Sequence, residues 1–286
     1  MPTRRYLRRL EIDAGAPPTL DTLFLVHDRH LAHVPYENLG IMLGLPPSVD
    51  PETCLDRIGR VGRAGYCLHQ NAALELVLSD LGFAVRRRHA HVWQDEAHRS
   101  GPLNHLALEV TGLPTAENPA GRWWADVGLG EGFRLPLPLV DGEHVQDGFR
   151  YRLSDVGPDG WSFRHDPAGS FAGIEVTGGD TGPGAMVASH AELSAPGEGR
   201  FARLVVVQRR DAGGIREVRG CLLRRVTPTG ATETVLASYD DWRAALTGEL
   251  RVPLDDLPED PLRELYARSW AAHLEWAAGR SRGRDE

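Results

Sequence analysis

The chain has 286 residues, 41% of them hydrophobic and 25% charged, a globular balance that is neither disordered nor membrane-like. Its net charge of −8 at pH 7 argues against nucleic acid as a partner, because tracking phosphates needs a concentrated basic face. All 32 basic residues are Arg, which excludes a lysine Schiff base, a lysine general base and a Walker-type phosphate loop.

The first residues, Met1 to Arg5, lack the apolar stretch of a secretory signal. Runs such as Leu204–Val207 are too short to span a bilayer. A cytoplasmic protein is expected, and the Arg-, Ala-, Gly- and Pro-rich composition suggests a bacterial genome rich in G and C. The first third reads as helical. Leu20–His33 carries Leu20, Leu23, Val26 and Leu31 at helical spacing and stops before Pro35. A second helix starts near Cys67 and runs through Asn71, Leu74 and Leu78 to Gly82, apolar nearly all round and therefore central.

From Phe83 the period shortens. Phe83–Arg86, Leu106–Val110, Trp123–Val127, Tyr151–Leu153 and Trp161–Phe163 read as short strands between turn residues, the pattern of a small sheet or barrel. The basic clusters Arg86–Arg88 and Arg209–Arg210 fall in such stretches and read as solvated strand faces. Gly178–Gly184 reads as a surface connection. The last third offers Phe201–Gln208, Ile215–Arg225 and Thr232–Leu236 as longer strands, followed by two helices. Asp260 is the expected N-cap of the last helix, whose apolar face is Leu262, Leu265, Tyr266, Leu274 and Ala277, with a frayed tail from Gly279.

The three cysteines, Cys54, Cys67 and Cys221, form neither a disulfide framework nor a zinc spacing. Gly65 permits a tight turn into the second helix, and Cys67 falls at its N-terminus, where free N–H groups and the macrodipole favour an anion. On placement alone, a nucleophilic thiolate and an ordinary buried thiol fit Cys67 equally well. A nucleophile needs a base, and the base an orienting acceptor. His105 opens the strand His105–Val110 on the face opposite Leu106 and Leu108, and Asp126 lies between Trp124 and Val127, where only a partner makes burial affordable. Each alone is more readily an ordinary strand histidine or turn acid; the order Cys, His, Asp on three elements is the stronger signal.

Several ordered segments resemble the arylamine N-acetyltransferase family. Val34-Pro35-Tyr36-Glu37-Asn38-Leu39 resembles its Ile/Val-Pro-Phe-Glu-Asn-Leu segment, and Arg63–Asn71 its Arg-Gly-Gly-x-Cys-x-Glu-x-Asn signature. Asn104-His105-Leu106 and Asp126-Val127-Gly128-Leu129-Gly130 match its histidine and aspartate segments, and Phe201–Arg210 its late strand. The resemblance implies an α+β fold in three parts: a helical bundle over 1–82 carrying the nucleophile, a central β-barrel over 83–190 carrying His and Asp, and an α/β lid over 191–286. It implies a Cys67–His105–Asp126 triad and a ping-pong reaction in which Cys67 takes an acyl group from a thioester, typically acetyl-CoA, and passes it to an arylamine or hydrazine. No bound cofactor or metal is implied. Val127, Gly128, Leu129, Gly130 and Phe201 would lie against the acyl donor. Tyr36 and Tyr66, with Trp123 and Trp161, are candidates for an aromatic acceptor site, though aromatic residues are more often core.

The chain departs from the family pattern at Ala64, His69, Gly199 and Leu204, and its His105-to-Asp126 connection is long. The departures at Gly199 and Leu204 leave open an amide-synthase variant that takes a longer acyl group from an acyl-carrier protein. His69 faces away from Cys67 and reads as a replacement structural contact. A metal-binding module built on Cys67, His69, His89, His91 and His105 has no matching spacing.

Overall fold

The computed structural model describes residues 1–282. Helix α1 (Pro2–Arg9) packs on α4 (Pro51–Val61), and α4 packs on α5 (Cys67–Asp80). Asp50 caps α4 by accepting from the Thr53 amide at 2.8 Å, and Gly62 closes it in the left-handed conformation, φ 91°. Helix α2 (Leu20–His33) has the expected bounds, and Thr19 caps it. Ten of the fourteen α5 residues are buried, which matches its nearly continuous apolar sequence and makes it the axis of this bundle.

Eight strands form one nearly closed antiparallel sheet: β2 (Ala84–Trp93), β3 (His105–Thr111), β4 (Trp123–Ala125), β5 (Leu137–Pro138), β6 (Gly142–Gln146), β7 (Phe149–Ser154), β8 (Trp161–Arg164) and β9 (Gly173–Thr177), in spatial order β5-β4-β3-β2-β9-β8-β7-β6. Its interior is aromatic, with Trp124, Phe133, Tyr151, Trp161 and Phe163 fully or nearly fully buried. Helix α6 (Pro183–Leu193) then leads to a second sheet of β10 (Val206–Asp211), β11 (Gly214–Arg219), β12 (Leu222–Thr227) and β13 (Gly230–Val235), covered by α7 (Tyr239–Ala244) and α8 (Glu259–Arg282). The bundle contributes β1 (Tyr36–Glu37), which pairs with β10, and the short α3 (Leu39–Met42) follows it. The fold is the expected α+β arrangement of bundle, barrel and α/β lid. The expected boundary at 190 falls inside α6, so the three-part division stays a proposal.

The strand expectations change in four places. Phe201–Gln208 is not one strand: Arg200–Ala202 forms a 3-10 turn and pairing starts at Val206. The Asn38 side chain is the reason, because it donates to the Phe201 and Leu204 carbonyls and accepts from the Val206 amide, drawing that backbone away from a sheet ladder. Ile215–Arg225 is a hairpin, with Arg219 opposite Leu222 and Gly220 at φ 57° making the turn. Strand β2 runs on to Trp93, and β4 ends at Ala125, one residue short of Asp126.

The last helix opens at Glu259, so Asp260 lies in its first turn and is not the cap. Its apolar face ends early: Leu262, Leu265 and Tyr266 are buried, while Leu274 is 51% exposed. The helix continues to Arg282, past the fraying expected at Gly279; residues 283–286 of that expected tail lie outside the described residues.

Buried polar groups set the stability of this bundle against pH. The Gln70 amide nitrogen donates to the Pro35 and Gly65 carbonyls, so its oxygen faces His30 and receives the Nε2 proton. His30 Nδ1 is then left to accept from the Tyr6 hydroxyl at 2.7 Å. His27 is fixed in the same neutral way, with Nδ1 donating to the Arg134 carbonyl and Nε2 accepting the Asp126 amide. Burial pulls His27 down to about 4 and His30 and His69 to about 3. These imidazoles stay neutral in the fold but titrate near ~6.5 when unfolded, so their stabilisation is complete above that pH and lost as pH falls towards those values. His105 has the opposite sign. Burial lowers it, but the Asp126 charge and Cys67 outweigh burial and lift it to about 10, so its contribution is complete below ~6.5 and lost as pH rises through about 10. The melting temperature is therefore expected to peak near pH 6.5 and fall faster on the acid side, where the unfolding free energy drops by up to ~4 kcal/mol per pH unit for three protons. Calorimetry across pH 4–9 checks this; a melting temperature that rises from pH 6.5 to pH 5 contradicts it.

Candidate active site

The site forms where α5, β3 and the segment after β4 meet. Cys67 is the first residue of α5, 2% exposed, and the Cys67 and Leu68 amides have no hydrogen-bond acceptor among the described residues. Two neighbours fix the turn before it. Gln70 holds the Gly65 carbonyl, and Gly65 itself sits at φ 137° beneath the His69 ring, where a Cβ would lie 2.7 Å from Nδ1. Arg63, fully buried, pairs with Glu37 at 3.2 Å and Asp256 at 2.6 Å, pinning the irregular segment that leads into the turn.

The sheet register brings the other two residues together. Ala90 opposite His105 puts His105 at the end of β3, and Leu108 opposite Ala125 puts Asp126 just beyond β4 at nearly the same level. His105 Nε2 and Asp126 Oδ2 are 2.7 Å apart, both groups all but fully buried. This leaves His105 Nδ1 as the nitrogen that meets the Cys67 thiol, and both partners raise the imidazole. The Cys67 sulfur also lies 3.7 Å from the Asn104 carbonyl.

Asp126 is held from every side by donors. Oδ1 accepts from Asn71 Nδ2 at 2.7 Å and the Gly128 amide at 3.0 Å; Oδ2 accepts from His105 and from Trp124 Nε1 at 3.1 Å. Asn71 also accepts the Val127 amide and donates to the Leu106 carbonyl. The sequence signature by itself gives Asn71 no role. Its position four residues after Cys67, on the same face of one helix, is the signal that places it beside the nucleophile.

Cys67 and His105 open onto a cleft of about 130 Å³, with Tyr36, Asn104, Gly128, Leu129, Glu131 and Phe201 among its other walls. That is small beside the ~300–1,000 Å³ of a drug-sized pocket, too small to hold two such molecules side by side. Of the residues expected on the donor side, Gly128, Leu129 and Phe201 face the cleft, whereas Val127 is fully buried behind it. Gly130 sits at φ 70° against Gln208 and Tyr36. Of the two acceptor candidates, Tyr36 lines the cleft. Tyr66 does not: it is fully buried, donates or accepts at His190 Nδ1 over 2.8 Å, and packs on Phe201 with ring centroids 4.2 Å apart. Trp123 and Trp161 belong to the bundle and barrel cores.

The departures have physical readings. His69 packs edge-on against Tyr66 and His190 and reaches the Pro47 carbonyl through Nε2 at 3.2 Å, outside the cleft. At Gly199 a Cβ would lie 2.4 Å from the Leu193 carbonyl oxygen, so a serine does not fit this backbone. Burial pushes the Cys54 thiol up to about 12 and Cys221 up to about 11, which leaves both unreactive near neutral pH. No group of three or more His, Cys, Asp or Glu that could hold a metal occurs among the described residues, and no described helix is long and apolar enough to cross a membrane.

A cysteine at a helix N-terminus, met by a buried histidine that a carboxylate orients, defines the class of cysteine-nucleophile sites. The model of a family described as N-acetyltransferase matches residues 19–172, more than half of the sequence. Arylamine N-acetyltransferases of Escherichia coli and Mycolicibacterium smegmatis are 31% and 33% identical over 156 and 159 residues, covering 54% of this chain and 53% and 56% of theirs. The chain thus spans about half the length of the curated relatives it matches. Over the whole fold, the arylamine N-acetyltransferase of Mycobacterium tuberculosis superposes with a TM-score of 0.78 at 26% identity, covering 92% of this chain and 98% of that one. The Mycobacterium marinum enzyme in complex with CoA gives 0.82 at 22% identity, covering 93% and 98%. The chain belongs to the arylamine N-acetyltransferase family.

Proposed function

We propose that the protein is an N-acyltransferase that works through an acyl-thioester on Cys67, with acetyl-CoA as donor and an arylamine or hydrazine as acceptor. The observation that carries this reading is the buried His105–Asp126 pair, 2.7 Å apart, beside a thiol at the N-terminus of α5. The names of the relatives support it, as does the CoA bound to the M. marinum protein.

In the first step the Cys67 thiol passes its proton to His105 and its sulfur attacks the thioester carbonyl. The oxyanion forms near the unpaired Cys67 and Leu68 amides, and the donor thiol leaves with the proton His105 carries. In the second step the amine nitrogen attacks the acyl-Cys67 carbonyl. His105 takes the amine proton as the C–S bond breaks, and the acyl amide departs. Asp126 holds the imidazole in one orientation and stabilises its cationic form throughout. Because the cleft is small, donor and acceptor take turns in it, and splitting the transfer removes the need to hold both at once.

Initial rates measured against acetyl-CoA at several fixed arylamine concentrations are expected to give parallel double-reciprocal lines. Lines that intersect to the left of the axis contradict a two-step transfer.

A further inference from the structure

Glu131 is a carboxylate in the cleft that the chemistry above does not use. It is 2% exposed and has no cationic partner among the described residues. One of its oxygens, Oε1, accepts from the Ser170 amide and hydroxyl; Oε2 makes no hydrogen bond within the protein. Two further polar atoms around the same space are equally unmatched. The Tyr36 side chain is 9% exposed, lines the cleft, and its hydroxyl has no protein partner. Gln208 donates its amide nitrogen to Glu217 at 2.8 Å, which leaves its oxygen without a donor. That oxygen would lie 2.1 Å from a Cβ on Gly130, and Tyr36 Cγ would lie 3.1 Å from it, so Gly130 keeps open the space where both side chains converge.

A buried carboxylate without a counter-ion is costly, and so is an unpaired amide oxygen; both are relieved by a ligand that brings N–H donors. The surrounding charges do not serve. Arg219 lines the cleft but is engaged by Glu217 at 3.2 Å, and Arg224 pairs with Glu217 and Glu233. Arg200 lies on the exposed side of the cleft. Tyr36 remains a hydroxyl at working pH, because burial and the nearby Cys67 both push it well above its usual range.

We propose that Glu131 Oε2, Gln208 Oε1 and the Tyr36 hydroxyl form a recognition subsite for a second N–H-bearing group on the acceptor, an ammonium or amidine carried on the arylamine. This rests on the reading of the cleft as the place of acyl transfer. The family segment that Val34–Leu39 resembles has Phe at the Tyr36 position, so the hydroxyl belongs to this chain's own selectivity.

The test compares three acceptors of similar size with acetyl-CoA as donor: para-(aminomethyl)aniline, its uncharged counterpart para-ethylaniline, and para-aminobenzoate. The wild-type protein is expected to favour the ammonium compound over para-ethylaniline by about 10–100-fold in kcat/KM. Glu131→Gln is expected to bring that ratio close to one, and Glu131→Asp to restore part of it. A wild-type ratio near one overturns the subsite whether or not the variants fold, and so does a ratio that Glu131→Gln leaves intact. A preference for para-aminobenzoate that Arg200→Ala removes also overturns it, in favour of an anion site at the mouth. Failure to acetylate any of the three would instead fault the proposed function, so the two readings fail separately.

Discussion

Asp126→Asn is expected to lower kcat/KM by about 10⁴-fold and to destabilise the fold by about 2–4 kcal/mol. Both oxygens of Asp126 accept from two donors each, so an amide NH₂ placed on either side meets donors on that side. If it faces His105 and Trp124, the imidazole loses its acceptor and with it the orientation that presents Nδ1 to Cys67. If it faces Asn71 and the Gly128 amide, the aspartate segment separates from α5. Either way a buried donor is orphaned, and the field that lifts His105 to about 10 is lost. Steady-state kinetics with a thermal melt checks the two effects together. A variant within tenfold of the wild type in kcat/KM would mean that Asp126 does not orient the base.

Gly128→Ala is expected to cost about 10²-fold in the same constant, through displacement of the nucleophile. A Cβ at Gly128 would lie 2.7 Å from Cys67 Cα, 2.8 Å from Asn71 Nδ2 and 2.9 Å from Cys67 Cβ. Two of these belong to the nucleophile's own Cα and Cβ, and the Asn71 amide is held by Leu106, Asp126 and Val127, so none can swing away. Gly128 is not in the left-handed region, so alanine suits its backbone and the cost is one of contact. Gly184→Ala is the matching control: it lies within α6, and a Cβ there has nothing within 4 Å. Rates for the two variants, with the alkylation rate of Cys67 as a measure of its exposure, check the claim. Equal activity in the two would contradict it.

What the sequence made legible follows from local physics. The bounds of α2 and the start of α5 are marked by Thr19, Pro35 and Gly65, whose backbone effects act within a few residues. The His105 strand and the buried acid at Asp126 were likewise readable, because alternation and an acid among tryptophans are local patterns. The late strand was not. Its start at Val206 is set by Asn38, which lies far away in sequence and captures the Phe201–Val206 backbone, and no short-range pattern encodes that contact. The surroundings of Tyr66 are likewise set at long range. An aromatic residue beside a nucleophile suggests a substrate wall, but His190 and Phe201, more than a hundred residues on, bury it. His27 and Glu131 carry no local signal: the Arg134 carbonyl and Asp126 amide that fix His27 lie about a hundred residues on, and Glu131 stands out only because no cation meets it among the described residues.

The central claim is that Cys67 carries the acyl group between substrates, and intact-protein mass spectrometry with acetyl-CoA and no acceptor tests it most directly. The expected result is one added acetyl group, mapped to the peptide containing Cys67, discharged by an arylamine and missing from Cys67→Ala. An adduct that persists in Cys67→Ala, or no adduct from acetyl-CoA or any longer acyl-CoA, would contradict it.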